Sequence, residues 1–527
     1  MNYFALLPLL LLVSCATERT ETSSAREPHR PAYHFTPDSA WMNDPNGMVY
    51  YDGEYHLFYQ YYPDSTVWGP MHWGHAVSPD MVRWEDLPIA LYPDSLGYIF
   101  SGSAVIDRDN TAGFGVDAMV AIFTHHNMAG ERAKRLDFQT QSIAYSTDRG
   151  RSWTKYADNP VIPNPGIKDF RDPKVTWDAD RNQWVMVLAA YDIVKFYTSP
   201  NLKDWTFASD FGKELGSHGG VWECPDLFPM TDQNGDRHWV LIVSVQQGSP
   251  NGGTGAQYFV GDWNGGEFIV EPGLLAYLKS EKDRALWLDY GRDNYAGVTW
   301  SNAPDDRTLF MGWMSNWQYA QVVPTERWRS AMTLPRELNL QAFGNGNFTL
   351  RTRPVRELQA LRKKSFQLEE AIRIGEEKYS PDLDWDLGQE AIRVATSEIQ
   401  FKTTTNGDTP TEGSFGLRFY NADGDEFRVG YDFTQRRPFT DRRKAGRTDF
   451  QEDFATARHD GPAESFPGEW QLFMDRSSAE LFVENGDLVM TDIFFPSDLL
   501  NRMEIFNTSG QIIELTELTI WELDEME

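Results

Sequence analysis

Trp41-Met42-Asn43-Asp44-Pro45-Asn46-Gly47 opens a strand, Met48–Tyr51, which an Asp52-Gly53 turn joins to a second, Tyr55–Tyr61. Asp-Gly between two such runs predicts a β-hairpin with a two-residue turn. The same plan returns twice. Phe170-Arg171-Asp172-Pro173 precedes Lys174–Trp177 and, after a polar turn at 178–182, Trp184–Leu188. Trp222-Glu223-Cys224-Pro225-Asp226 precedes Leu227–Met230, a turn containing Asn234-Gly235, and His238–Val245. Three hairpins therefore each follow a carboxylate that lies next to, or two residues before, a proline.

A second repeat runs through the same region. Ser78 to Trp84, Ser146 to Trp153 and Ser199 to Trp205 each begin Ser-x-Asp/Asn and end on tryptophan, at intervals of roughly 50 to 70 residues. Short strands and tryptophan turns recurring at this period predict a radial β-propeller over residues 33–350, and five blades fit the period best. Arg356 to Lys364 is charged and weakly helical, so 351–375 is expected as a linker. Beyond it, alternating segments such as Gly416–Tyr420 and Glu480–Val483, with Asn-Gly turns at 406–407 and 485–486, predict a β-sandwich over 376–527. The expected fold class is all-β.

Composition bounds the rest. The 527 residues are too many for one ordinary core. With 41% hydrophobic and 14% aromatic residues the chain is globular. Its net charge of −30 repels phosphate backbones and excludes nucleic acid as a natural partner, while a neutral carbohydrate is not repelled. Most of the 19 tryptophans are expected in cores; those beside the acidic motifs could stack on sugar rings. The ten histidines are scattered and no Cys/His cluster has metal-ligand spacing, so neither metal nor cofactor is expected. Phe4 to Val13 is apolar but too short to span a bilayer. Leu12-Val13-Ser14-Cys15 resembles a bacterial lipobox, although Met1-Asn2-Tyr3 carries no Lys or Arg. Residues 1–15 are thus expected as a lipoprotein signal with lipidation at Cys15. Residues 16–32 would be a flexible tether, and the protein would be exported and membrane-anchored, in the periplasm or at the cell surface.

Cleaving a glycosidic bond needs one carboxylate to attack or activate water and a carboxylic acid to protonate the leaving oxygen, with pKa values pushed apart. Blades aim their innermost strands at one channel, so acids distant in sequence can converge there. Trp41 to Gly47, Arg171-Asp172-Pro173 and Glu223-Cys224-Pro225, in this order, resemble the signature of glycoside hydrolase family 32, which includes invertases, inulinases and levanases. Phe58–Gln60, Trp68–Ala76, Phe100–Ser103, Gly312–Trp317, Leu334–Glu337 and Asp475–Phe482 fit the same family. The resemblance implies a five-bladed propeller joined to a sandwich, and hydrolysis of β-D-fructofuranosides with retention, at terminal or internal bonds of levan or inulin and on sucrose. It makes Asp44 the nucleophile, Glu223 the acid/base and Asp172 the transition-state stabiliser, and retention sets Asp44 and Glu223 about 5–5.5 Å apart.

Around them, Arg171 can hold carboxylates or sugar oxygens, and Asn43, Gln60 and Ser101 offer polar groups to sugar oxygens. Trp41, Trp68, Phe100 and Trp313 would wall the ring; Trp73 and Trp317 read equally as packing. Cys224 reads as a buried neighbour of Glu223 rather than a reactive thiol. Two other readings use the same residues: a fructosyltransferase, and a non-catalytic lipid-tethered fructan-binding protein. The Asp-box-like stretch 146–153 also suggests a sialidase, but no tyrosine nucleophile with an arginine cluster stands out.

Overall fold

The computed structural model describes residues 27–344, 346–368, 370–375, 392–405 and 407–525. The expected signal segment, Cys15 and tether residues 16–26 lie outside the described residues, as does Asn406. What is described is a five-bladed β-propeller followed by a β-sandwich.

Each blade is an antiparallel sheet whose first strand lies innermost: Ala40–Tyr51, Tyr98–Asp107, Phe170–Asp178, Trp222–Thr231 and Tyr295–Thr299. Consecutive inner strands contact one another, and the fifth returns to the first, so they form a ring around one channel. Their side chains are largely buried on both faces, because neighbouring blades cover them. Trp328–Arg329, inserted within the fifth blade, pairs in parallel with Ala40–Trp41 and closes the ring. The Asp52-Gly53 turn joins the directly paired Tyr51 and Glu54, with φ of 50° and 88°. Positive φ at both positions is what a type I′ hairpin turn requires.

The Ser-to-Trp repeat is one turn, joining the third strand to the fourth in blades one to three. Ser78, Ser146 and Ser199 donate to Asp80, Asp148 and Asn201, whose side chains accept backbone N–H groups further along. Trp153 and Trp205 each donate back to a turn carbonyl, at 3.0 and 2.9 Å. The repeat is therefore a local hydrogen-bonded device, distinct from the acids and at the outer side of each blade.

The expected linker is mostly regular structure. Arg351–Pro354 end the last strand of blade five, Arg356–Leu361 form a 3₁₀ turn that buries Leu358 and Leu361, and Arg362–Gln367 already pair with the C-terminal strand Ile513–Leu523. The charged pattern there reflects alternation on an edge strand. The sandwich packs a seven-stranded sheet on a five-stranded one, with Phe415, Leu417, Val429, Leu472, Leu481 and Ile505 among its core.

Its seam with the propeller joins Phe473, Phe482 and Val489 to the propeller's apolar core and buries a chain of ion pairs. His34 lies between Asp475 (2.7 Å) and Glu480 (3.0 Å); Glu480 also holds Arg336 (2.6 Å), which reaches Asp289 (3.0 Å). Residues 29–32, expected within a flexible tether, are fixed by the same surface: Ala32 N–H donates to Asp475 (2.7 Å) and the His29 carbonyl accepts from Ser477 (2.7 Å).

Candidate active site

All five inner strands are interrupted at the same point. Residues 43–44, 100–101, 172–173, 224–225 and 296–297 each set two residues opposite one on the second strand, namely Gln60, Thr124, Leu188, Val243 and Gly312. Such a β-bulge bends the strand and re-aims side chains. Proline, which has no N–H for the ladder, is tolerated in an inner strand at a bulge. Pro173 and Pro225 occupy the second bulge position and Pro45 follows the bulge of the first blade. Asp172, Cys224 and Ala296, the first bulge residues of three successive blades, all have positive φ (62°, 45° and 53°), the kind of backbone strain that collects at functional sites.

The register sorts the pocket into layers. Just before the bulges lie Arg171, Glu223 and Tyr295 from adjacent blades, and they bond to each other. Arg171 donates through Nε and Nη2 to Glu223 Oε1 (3.2 and 2.7 Å) and through Nη1 to Asp169 (2.7 Å). The Tyr295 hydroxyl donates to Glu223 Oε2. Within the bulges lie Asp44, Ser101, Asp172 and Cys224. Asp44 accepts from Asn43 Nδ2 (2.9 Å) and Ser101 Oγ (2.8 Å), while Asp172 accepts the Cys224 N–H (3.1 Å) and approaches Arg171 at 3.8 Å. Cys224 Sγ touches both Asp44 (3.6 Å) and Asp172 (3.8 Å). The three acids thus converge, but from different offsets of one repeated bulge.

Electrostatics follows from that crowding. Burial, reinforced by Glu223, raises Asp44 above the ordinary aspartate value. Burial pushes Asp172 up to about 7, with Arg171 opposing and Glu223 and Asp44 adding to the rise. Burial and the same carboxylates hold the Cys224 thiol and the Tyr295 phenol far above their usual ranges, so both stay neutral donors. One guanidinium faces Asp169, Asp172 and Glu223, with Asp44 beside them. Such a site retains a proton and favours positive charge developing on a substrate.

Other sequence-derived candidates divide by exposure. Trp41 and Trp313 are fully buried: Trp41 Nε1 holds the Asn43 amide at 2.7 Å, and Trp313 pairs directly with Tyr295. Neither ring presents accessible surface to the pocket in this structure, and Trp313 Nε1 is buried with no partner among the described residues. Gln60 is buried opposite Asn43 and Asp44, and its Nε2 finds no partner among the described residues. Trp68 and Phe100 remain half-buried in edge contact at 6.0 Å, and Trp317, stacked on Trp41 at 5.8 Å, is half-buried too. Trp73 is fully buried and bonded to the Phe100 carbonyl (3.0 Å), a packing role. Tyr295 and Asp169 were not singled out from the sequence. Aligning the five inner strands at their bulges would have found Tyr295, which occupies the register position of Glu223.

A cavity of about 820 Å³ opens at the opposite end of the propeller, where 105–109, 174–177, 228–231 and 299–303 leave the channel. It contains none of the three acids, so size alone does not locate the chemistry. Among the described residues no group of three or more His, Cys, Asp or Glu could hold a metal ion.

Comparison with known proteins gives the same partition of the chain. The model of the glycosyl hydrolases family 32 N-terminal domain matches residues 34–354, and that of the family 32 C-terminal domain matches 357–522. A levanase of Bacillus subtilis (strain 168) is 46% identical, over 98% of this chain and 74% of its own length. An extracellular exo-inulinase of Aspergillus awamori is 36% identical over 92% and 93%. Among solved structures, the Aspergillus awamori exo-inulinase superposes with a TM-score of 0.83 at 33% identity, covering 95% of this chain and 99% of that one. A β-fructofuranosidase from Schwanniomyces occidentalis complexed with fructosyl-erythritol gives 0.82 at 31% identity, covering 94% and 98%.

Proposed function

The chain belongs to glycosyl hydrolase family 32, and from that premise we propose that it hydrolyses terminal or internal β-D-fructofuranosidic bonds of levan or inulin, and of sucrose, by a retaining double displacement. The observation that carries this reading is the convergence of Asp44, Asp172 and Glu223 around one arginine at one end of the propeller channel.

Asp44 attacks the anomeric carbon of a fructosyl unit. Asn43 and Ser101, each bonded to a different carboxylate oxygen, fix its direction of attack. Glu223 donates its proton to the departing oxygen, then draws a proton from water as the fructosyl–Asp44 ester is cleaved. Tyr295 and the Arg171 fork hold opposite oxygens of Glu223, so its carboxyl cannot rotate away between the two steps. Asp172, oriented by the Cys224 N–H, faces the positive charge that develops on the ring. Retention requires the attacking and the proton-donating carboxyl groups to lie about 5–5.5 Å apart.

Incubating the protein with levan, inulin and sucrose and following the products by chromatography and by the anomeric NMR signals of the first-formed fructose tests this. Fructose released first as the β-anomer is expected; first-formed α-fructose, or no release, sinks the mechanism. Export agrees with the extracellular exo-inulinase relatives. We further propose a lipid anchor on Cys15, supported by Leu12-Val13-Ser14-Cys15. Labelling with a radioactive fatty acid that is abolished by Cys15→Ala is the expected result, and a label that persists removes the anchor.

A further inference from the structure

One layer past the bulges a buried ion pair has no part in the mechanism just described. Lys174 and Asp226 are the first residues beyond the bulges of blades three and four, and Thr299 is the second beyond that of blade five. Lys174 Nζ donates to Asp226 Oδ2 (3.2 Å), to the Thr299 carbonyl (2.6 Å) and to Thr299 Oγ1 (3.2 Å). Asp226 Oδ2 in turn accepts from the Thr299 N–H (2.5 Å) and hydroxyl (2.8 Å). Lys174 is 5% exposed and Asp226 0%.

Resting on the hydrolase reading above, we propose that the Lys174–Asp226–Thr299 cluster is a positioning strut that sets the spacing of Asp172, Glu223 and Tyr295. The three strands it ties carry the stabiliser, the acid/base and the phenol that holds the acid/base, at sequence distances of two, three and four residues. Its hydrogen bonds run among these three strands. Burying a charged pair costs desolvation, and a well-packed apolar replacement is often as stable or more so, so stability alone is a poor reason for the pair to lie there. Geometry is a better one. Strands joined only by side-chain packing can slide, whereas three bonds from one ammonium to two neighbouring strands fix both distance and register. Misplacing a reacting group by about 1 Å can cost about 100-fold in rate.

The test is a double substitution. Lys174→Met leaves Asp226 buried and unpaired and is expected to lower both melting temperature and kcat. Lys174→Met with Asp226→Leu removes the pair whole. Its melting temperature is expected to recover most of the Lys174→Met loss, short of wild type by the cost of re-pairing the Thr299 N–H and hydroxyl, while kcat on sucrose stays about 10- to 100-fold low, KM stays within about twofold and the alkaline limb of the kcat/KM–pH profile is displaced. Thr299→Val, a milder change, is expected to lower kcat several-fold, and Thr299→Ser, which keeps the hydroxyl, to restore it. If kcat and the pH profile of the double variant return with its stability, or if Thr299→Val leaves both untouched, the cluster is structural only and the proposal is overturned. Failure of the wild-type protein to release fructose from any of the three substrates would instead overturn the hydrolase reading, and the strut with it.

Discussion

Replacing His34 with glutamine will flatten the pH dependence of stability on the alkaline side. His34 is fully buried at the seam, 2.7 Å from Asp475 and 3.0 Å from Glu480. Burial opposes its charge, but the two carboxylates outweigh burial and raise the imidazole from 6.5 to about 9. At about 1.4 kcal/mol per pH unit, that gap corresponds to about 3 kcal/mol favouring the folded state. A raised folded-state value means the contribution is complete below pH 6.5 and vanishes as pH climbs through about 9. The partners do not confuse the reading. Glu480, held down to about 2 against burial chiefly by Arg336, with His34 assisting, and Asp475, lowered against burial chiefly by its hydrogen bond from His34, lose their stabilisation only as pH falls through the acid range. Urea unfolding followed by tryptophan fluorescence, at pH values of about 6 and about 10, measures the difference at a common denaturant slope. Wild type should lose about 3 kcal/mol more than His34→Gln across that interval. Parallel losses in the two proteins would refute the idea that a charged histidine clamps the two modules.

Three further outcomes concern the pocket. Glu223→Gln should lower kcat on levan by about 10²- to 10⁴-fold while leaving binding, measured calorimetrically, within about twofold; a near-normal rate would reassign the acid/base. Tyr295→Phe deletes a hydrogen bond to a carboxylate, worth about 1.5–3 kcal/mol, so kcat should fall about 10- to 100-fold with folding intact by circular dichroism; an unchanged kcat removes Tyr295 from the chemistry. Because Asp44 must be ionised to attack and burial raises it, the ascending acid limb of kcat/KM should be centred above the ordinary aspartate value of about 3.9; a midpoint below that contradicts the packing drawn around it.

What could be read from the sequence depended on whether a residue carries a local mark of its job. Asp172 and Glu223 declare themselves because proline in an inner strand is tolerated at a bulge, and a bulge is where a side chain is re-aimed into the channel. The hairpins behind them were legible for the same kind of reason: Asp52-Gly53 has few other conformations open to it between two apolar runs. Tyr295 does work comparable to the neighbours of Glu223 but stands before Ala296 and Gly297, with no proline and no charge to mark it. Trp41 and Trp313 sit inside recognisable motifs, yet a motif records that a tryptophan is needed without recording which way its ring faces. Both are buried, Trp41 bonded to the Asn43 amide and Trp313 with its ring 6.4 Å from that of Tyr295, and Asn43 and Tyr295 in turn bond to the acids. The seam was least legible of all. His34 and Asp475 are 441 residues apart, and a lone histidine near the start of a chain has no periodicity that predicts a partner. The distinction is physical: backbone constraints act within a few residues and leave a pattern, whereas a buried ion pair is selected by the space that remains after two modules dock. Lys174 and Asp226 illustrate both halves, since one follows a legible motif and the other ends one, while their meeting depends on the ring having closed.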